Sequence, residues 1–168
     1  MLELEFLEHD VNVLAYNWVD ILALIGRNPF SERIKFLLEH QELSNRPVPN
    51  LAGELGVPEC KGTAFWIAGV SKLDYPYQAN DDELNQHMEQ SGPKRWDDFF
   101  RVHNERRIPG AFCFSYSAQV DSWHAGIYLG EIGEEHVLFA QHGTGNKFGP
   151  ESLRYYSHPD YYIPRSLK

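Results

Sequence analysis

A chain of 168 residues carrying a net charge of −9 and a pI near 5.3 is long enough for one domain with its own core and short for two. The acidic balance argues against a nucleic-acid backbone or an anionic membrane as the main partner. Two cysteines, Cys60 and Cys113, make no disulfide framework, and neither they nor the eight histidines fall at metal-ligand spacing, so neither a metal nor a cofactor is expected.

The N-terminus, Met1-Leu2-Glu3-Leu4-Glu5, is acidic where a cleaved signal peptide needs basic residues. No apolar run approaches the length of a membrane span. The expected location is therefore the cytoplasm, or export without a cleaved signal. Residues 10–26 read as a helix, with Leu14, Trp18, Ile21, Leu22 and Ile25 at helical spacing. Gly26 and Pro29 end it. Ser31 is an expected cap for a second helix carrying Ile34, Leu37 and Leu38. Pro47 and Pro49 mark a loop.

The next stretch, Glu59-Cys60-Lys61-Gly62-Thr63-Ala64-Phe65-Trp66, places Cys60 at the start of an apolar helix that should run to about Val70. Backbone N–H groups are unpaired at a helix start and the dipole is positive there. A thiol at that place becomes a thiolate more easily, and the thiolate is the nucleophile. The competing reading is a buried, inert cysteine packed as a small hydrophobe.

Asn80-Asp81-Asp82-Glu83 looks like a capping box opening a short helix through about Gln90. The segment from Trp96 to Val102 is amphipathic, helix or strand. The adjacent carboxylates Asp97 and Asp98 read as a solvated face. Residues 111–116 form an aromatic run expected to be a buried strand, and Trp123 to Gly130 a second strand. Gly133 and its neighbours turn into a third, His136 to Gln141. A glycine-rich loop, Gly143 to Gly149, leads to a last strand or extended tail ending at Pro164. Helices first and antiparallel strands after them is the α+β pattern.

A cysteine nucleophile needs a base and something to orient that base. His124 opens a strand beside the small residues Ala125 and Gly126, and is the best candidate; a surface histidine at a strand edge is the alternative. The orienting group is expected from the next strand, where Gln141 and His142 stand. Side chains alternate along a strand, so one of the two can face His124, and the sequence leaves open which. His9, His40, His87, His103 and His158 lie in polar surroundings and read as exposed.

Three of these stretches together resemble the NlpC-type cell-wall endopeptidases, which are papain-like cysteine hydrolases. Glu59-Cys60-Lys61-Gly62-Thr63-Ala64 stands where that family has its nucleophile motif Asp-Cys-Ser-Gly-Phe-Val. Pro109-Gly110-Ala111-Phe112-Cys113-Phe114 stands where it has Pro-Gly-Asp-Leu-x-Phe-Phe. His124-Ala125-Gly126-Ile127-Tyr128-Leu129-Gly130 is close to its His-x-Gly-Ile-Tyr-Leu-Gly strand. The family's third polar residue falls in the next strand, at Gln141 or His142, with His142 preferred because histidine is the family's commonest choice. The tyrosine usually found ahead of the cysteine, which helps hold the oxyanion, is not evident in Asn50-Leu51-Ala52-Gly53.

The resemblance covers residues 31–168 and implies a single α+β papain-like domain, N-terminal helices followed by a central antiparallel sheet, with residues 1–30 an added helical extension or a surface for a protein partner. It implies amide hydrolysis through a thioester and, as substrate, a peptide or peptidoglycan fragment. A papain-like hydrolase or deamidase acting on a protein, and an inactive binding module on the same fold, are the alternatives.

Overall fold

A computed structural model describes residues 18–80, 99–102, 107–117, 122–164 and 167. The architecture is α+β. Helices α1 (Trp18–Arg27) and α2 (Ser31–Glu39), a 3-10 turn (Gln41–Asn45), a two-stranded ribbon of β1 (Val48–Pro49) and β2 (Leu55–Gly56), and helix α3 (Cys60–Ile67) come first. A six-stranded antiparallel sheet follows: β3 (Phe99–Val102), β4 (Phe112–Ser117), β5 (Ser122–Ile132), β6 (Glu135–Gln141), β7 (Phe148–Ser152) and β8 (Tyr156–Pro164). Its spatial order is β3-β8-β4-β5-β6-β7.

Strand alternation divides the sheet into two faces. Ala125, Ile127 and Leu129 of β5 and Val137 and Phe139 of β6 pack with Ile21, Leu24, Ile25, Ile34, Leu37, Ala64, Phe65 and Ile67 of the three helices. Phe65 stacks on Phe112 with ring centroids 5.2 Å apart. The opposite face carries a smaller cluster of Ala111, Cys113, Tyr128, Leu138, Leu153 and Tyr161.

The helix expected over residues 10–26 is described from Trp18 onward. Its apolar stripe is not set apart from the rest: Ile21 and Ile25 are fully buried in the same core as α2, α3 and the sheet. Each such side chain contributes about 2 kcal/mol. At the Gly26–Pro29 turn the Asn28 side-chain amide ties the chain to the β5 backbone by donating to the Tyr128 carbonyl at 2.9 Å.

Ser31 does not cap α2. It is the first helical residue, the preceding position is Phe30 with no side-chain cap, and the Ser31 hydroxyl is buried with no partner among the described residues. Helix α3 begins at Cys60 as expected and stops three residues before the expected Val70, where Gly69 takes a positive φ of 73°. The expected helix over residues 80–90 and the pair Asp97–Asp98 lie outside the described residues. The ambiguous segment ending at Val102 is a strand over Phe99–Val102, paired with β8.

The tail after the glycine-rich loop is two strands rather than one. Strand β7 pairs antiparallel with β6, Leu138 opposite Glu151 and Phe139 opposite Pro150. A proline is tolerated there because β7 is the last strand of the sheet. The outer edge of β7 is covered by Gln41, whose amide donates to the Phe148 carbonyl at 2.8 Å and accepts from its N–H at 2.9 Å.

Candidate active site

Cys60 opens α3. The N-cap is Glu59, whose carboxylate accepts from the N–H groups of Gly62 at 2.7 Å and Lys61 at 3.1 Å, and from Ala79 at 3.3 Å. Two of the helix's four unpaired donors are satisfied in this way. The bond to Ala79 straps residues 77–79 over the start of the helix. Gly62 makes the strap possible: a Cβ there would lie 2.0 Å from the Tyr77 carbonyl oxygen. Among the described residues nothing accepts from the N–H of Cys60 itself, and Cys60 is 6% exposed.

The glycine-rich loop docks beside this helix start. Gly145, at a φ of 73°, donates its N–H to the Pro58 carbonyl at 3.0 Å. That contact sets the start of α3 at the end of the sheet where β6 finishes and β5 begins. His124 stands there, near enough to the Cys60 thiol for the two groups to influence each other. Cys60 and His124, joined from the sequence alone, are therefore together in the structure.

The ring's other partner is Glu151, on β7. His124 Nε2 and Glu151 Oε1 are 2.7 Å apart, and the Glu151 side chain is 1% exposed. With Nε2 engaged by the carboxylate, Nδ1 is the nitrogen left for the thiol. Burial by itself would push the His124 ring below its ordinary value. The Glu151 carboxylate opposes it, with hydrogen bonds to Cys60 and Glu151 and the charge at Cys60 adding to the effect, and the ring ends well above that value.

The partner of His124 Nε2 is thus Glu151, on β7, and the two residues expected to orient the ring stand on β6 and just after it. Alternation separates the two. Gln141 falls on the helix face and is fully buried; its carbonyl oxygen accepts from the Thr63 hydroxyl at 2.7 Å and its amide donates to the carbonyls of Ser44 at 3.1 Å and Asn146 at 3.0 Å. It joins α3, the 3-10 turn and the loop, and none of these hydrogen bonds is to the ring. His142 lies toward Glu151 instead, with Nε2 4.0 Å from Glu151 Oε2. Its Nε2–H donates to the Gly149 carbonyl at 3.2 Å, so His142 stands behind the carboxylate that holds His124.

Glu151 was not legible as a site residue. Gly149-Pro150 just ahead of it reads as loop, and a glutamate in a loop reads as solvated. Glu59 was visible only as the residue before the cysteine. Among the described residues no group of His, Cys, Asp and Glu side chains is arranged to hold a metal ion, and no helix is long and apolar enough to cross a membrane. Compared with protein-family models, with curated proteins and with solved structures, the chain matches none.

The arrangement suits nucleophilic chemistry. A thiol, an imidazole and a carboxylate stand close together in that order, a buried acid holds the ring, and the backbone N–H at the nucleophile has no acceptor among the described residues. The other cysteine is of a different kind. Cys113 is fully buried, and burial first, then the charges of Glu151 and Asp160, push its thiol well up.

Proposed function

We propose that the chain is a cysteine hydrolase that cleaves an amide bond through a thioester, with Cys60 as nucleophile, His124 as proton carrier and Glu151 as the group that orients the ring. The grouping of Cys60 with His124, and the 2.7 Å contact of that ring with Glu151, carry this reading. The Cys60 sulfur attacks the substrate carbonyl carbon, and the oxygen that gains the negative charge is met by the Cys60 N–H. The C–N bond breaks as the His124 N–H gives its proton to the departing amine. Neutral His124 then takes a proton from water as the water oxygen attacks the thioester, and the acid leaves while Cys60 and the imidazolium are restored. Glu151 holds the ring in place and stabilises its charge at each stage.

The fold reading that goes with this chemistry is papain-like and NlpC-type. The α+β order, the nucleophile at the start of α3 and the His124 strand support it. In this reading the orienting acid comes from β7, one strand beyond β6, where the resemblance implies Gln141 or His142. The substrate class that the resemblance implies is peptidoglycan stem peptides. The substitutions flanking the nucleophile, Glu59 and Lys61, favour as second reading a protein amide as target.

Incubating the protein with purified wall stem peptides and, separately, with casein tests both, with new amine termini read by mass spectrometry and Cys60→Ala as control. Cleavage of stem peptides that vanishes in the variant supports the first reading, and Cys60-dependent cleavage of casein alone moves the target to protein. No cleavage of either, together with slow alkylation of Cys60, overturns the hydrolase in favour of a binding module.

A further inference from the structure

The residue after the candidate nucleophile is a lysine, and its surroundings give it a task. The cap that secures α3 is an acid, and it stands against the sulfur: Glu59 is 5% exposed, and its Oε2, which accepts from the Lys61 N–H, lies 3.6 Å from Cys60 Sγ. A carboxylate at that range disfavours a negative charge on the sulfur, which is the form that attacks. The same Oε2 is 3.2 Å from the Lys61 ammonium, whose side chain is 18% exposed. In such partial burial a counter-charge acts with little screening by solvent.

We infer that Lys61 is a positioning residue for Cys60: its ammonium holds and neutralises the Glu59 carboxylate, so the helix keeps an acidic cap without repelling the attacking sulfur. The inference rests on the reading of Cys60 as nucleophile. The charged and titratable groups around that sulfur include Glu59 and Lys61 at its helix start, His124 from β5 and, behind the ring, Glu151 from β7 with His142 beyond it. His124 does not replace Lys61 in this task, because the ring has to part with its proton during turnover and Lys61 does not.

The test follows alkylation of Cys60 by iodoacetamide from pH 6 to pH 10 in the intact protein, read by mass spectrometry on the Cys60 peptide. Wild type is compared with Lys61→Met, Lys61→Arg and the double variant Glu59→Gln/Lys61→Met, each checked for folding by circular dichroism. In Lys61→Met, labelling at neutral pH should be roughly tenfold slower, the size of effect that one unbalanced charge a few ångström away produces, and the gap should close as pH rises. Lys61→Arg should stay within about twofold of wild type because a charge at that place is retained. The double variant should recover most of the rate, because the acid that needed balancing is gone.

Lys61→Met labelling like wild type at every pH overturns the inference, as does a double variant no faster than the single one. Should Lys61→Met not fold, the other two variants decide, since both must label near the wild-type rate and a slow double variant overturns the idea. Turnover on the same samples separates this inference from the hydrolase reading. Lys61-dependent labelling in a protein that cleaves nothing sinks only the hydrolase. Cys60-dependent cleavage with Lys61-independent labelling sinks only the role of Lys61.

Discussion

Glu151 reaches His124 across an intervening strand: the carboxylate on β7 and the ring on β5 meet at 2.7 Å with β6 between them. The space comes from small residues on that face of the sheet. Gly126 follows His124 on the same side of β5, and a Cβ there would come within 3.2 Å of the Ala140 Cβ; Ala140 in turn pairs with Gly149.

Removing the acid should therefore cost rate more than fold. Glu151→Ala leaves His124 without its orienting partner, and turnover should fall roughly 10²-fold or more. Glu151→Gln keeps an oxygen that accepts from Nε2–H and loses the charge, so its loss should be about tenfold smaller than that of the alanine variant. Steady-state kinetics on the best cleaved substrate, with urea unfolding as a check on fold, makes the comparison. Wild-type turnover in Glu151→Ala would remove Glu151 from the site.

The His124–Glu151 pair should also set a pH dependence of stability. The folded ring binds its proton more tightly than the unfolded one, so the pair's contribution is complete below the unfolded value of about 6.5. It is lost as pH rises through the higher folded value. The double variant His124→Asn/Glu151→Gln, which lacks both charges, serves as reference. Urea unfolding of both proteins from pH 6 to pH 10 should show the wild type losing stability relative to the reference as pH climbs. A constant difference across that range would mean that the folded ring holds its proton no more tightly than the unfolded one.

The two thiols should differ sharply in reactivity. Cys60 meets an imidazole at a helix start, whereas Cys113 is fully buried and its thiol is pushed up by burial and by Glu151 and Asp160. Brief alkylation of the folded protein at neutral pH should modify Cys60 before any label appears on Cys113. Cys60→Ala should abolish turnover and leave the unfolding midpoint nearly unchanged, since it removes one small side chain from the rim of the core. Equal labelling of the two cysteines in folded protein speaks against the site.

What the sequence disclosed depended on how local the signal was. The β5–β6 hairpin was legible because Gly133, with its φ of 61°, sits between two runs of apolar residues. Cys60 and His124 were legible because a helix start and a strand start are each marked by nearby residues. Strand β7 was not, because Gly149-Pro150 carries the punctuation of a loop, and only its place at the sheet edge makes the proline acceptable. With β7 hidden, Glu151 had no face to be assigned to, and the search for an orienting group stopped one strand short.

Gln141 and His142 are neighbours with opposite duties, and substitution should separate them. Gln141 fills a buried junction with three hydrogen bonds, to the Thr63 hydroxyl and the carbonyls of Ser44 and Asn146. Gln141→Ala strands those groups, each at a cost of about 1 kcal/mol or more, so the loss of stability should be about 3 kcal/mol. Turnover per folded molecule should fall less, because these hydrogen bonds of Gln141 go elsewhere than to the His124 ring. His142 is only partly buried, and its contact with Glu151 Oε2 is long at 4.0 Å. His142→Ala should cost little stability and slow turnover by roughly fivefold, the scale of a lost support rather than of a lost orienting group. Urea unfolding and kinetics on the two variants place them on separate axes. A Gln141→Ala protein that unfolds like wild type but turns over 10²-fold more slowly would return Gln141 to the catalytic role its position in the sequence suggested.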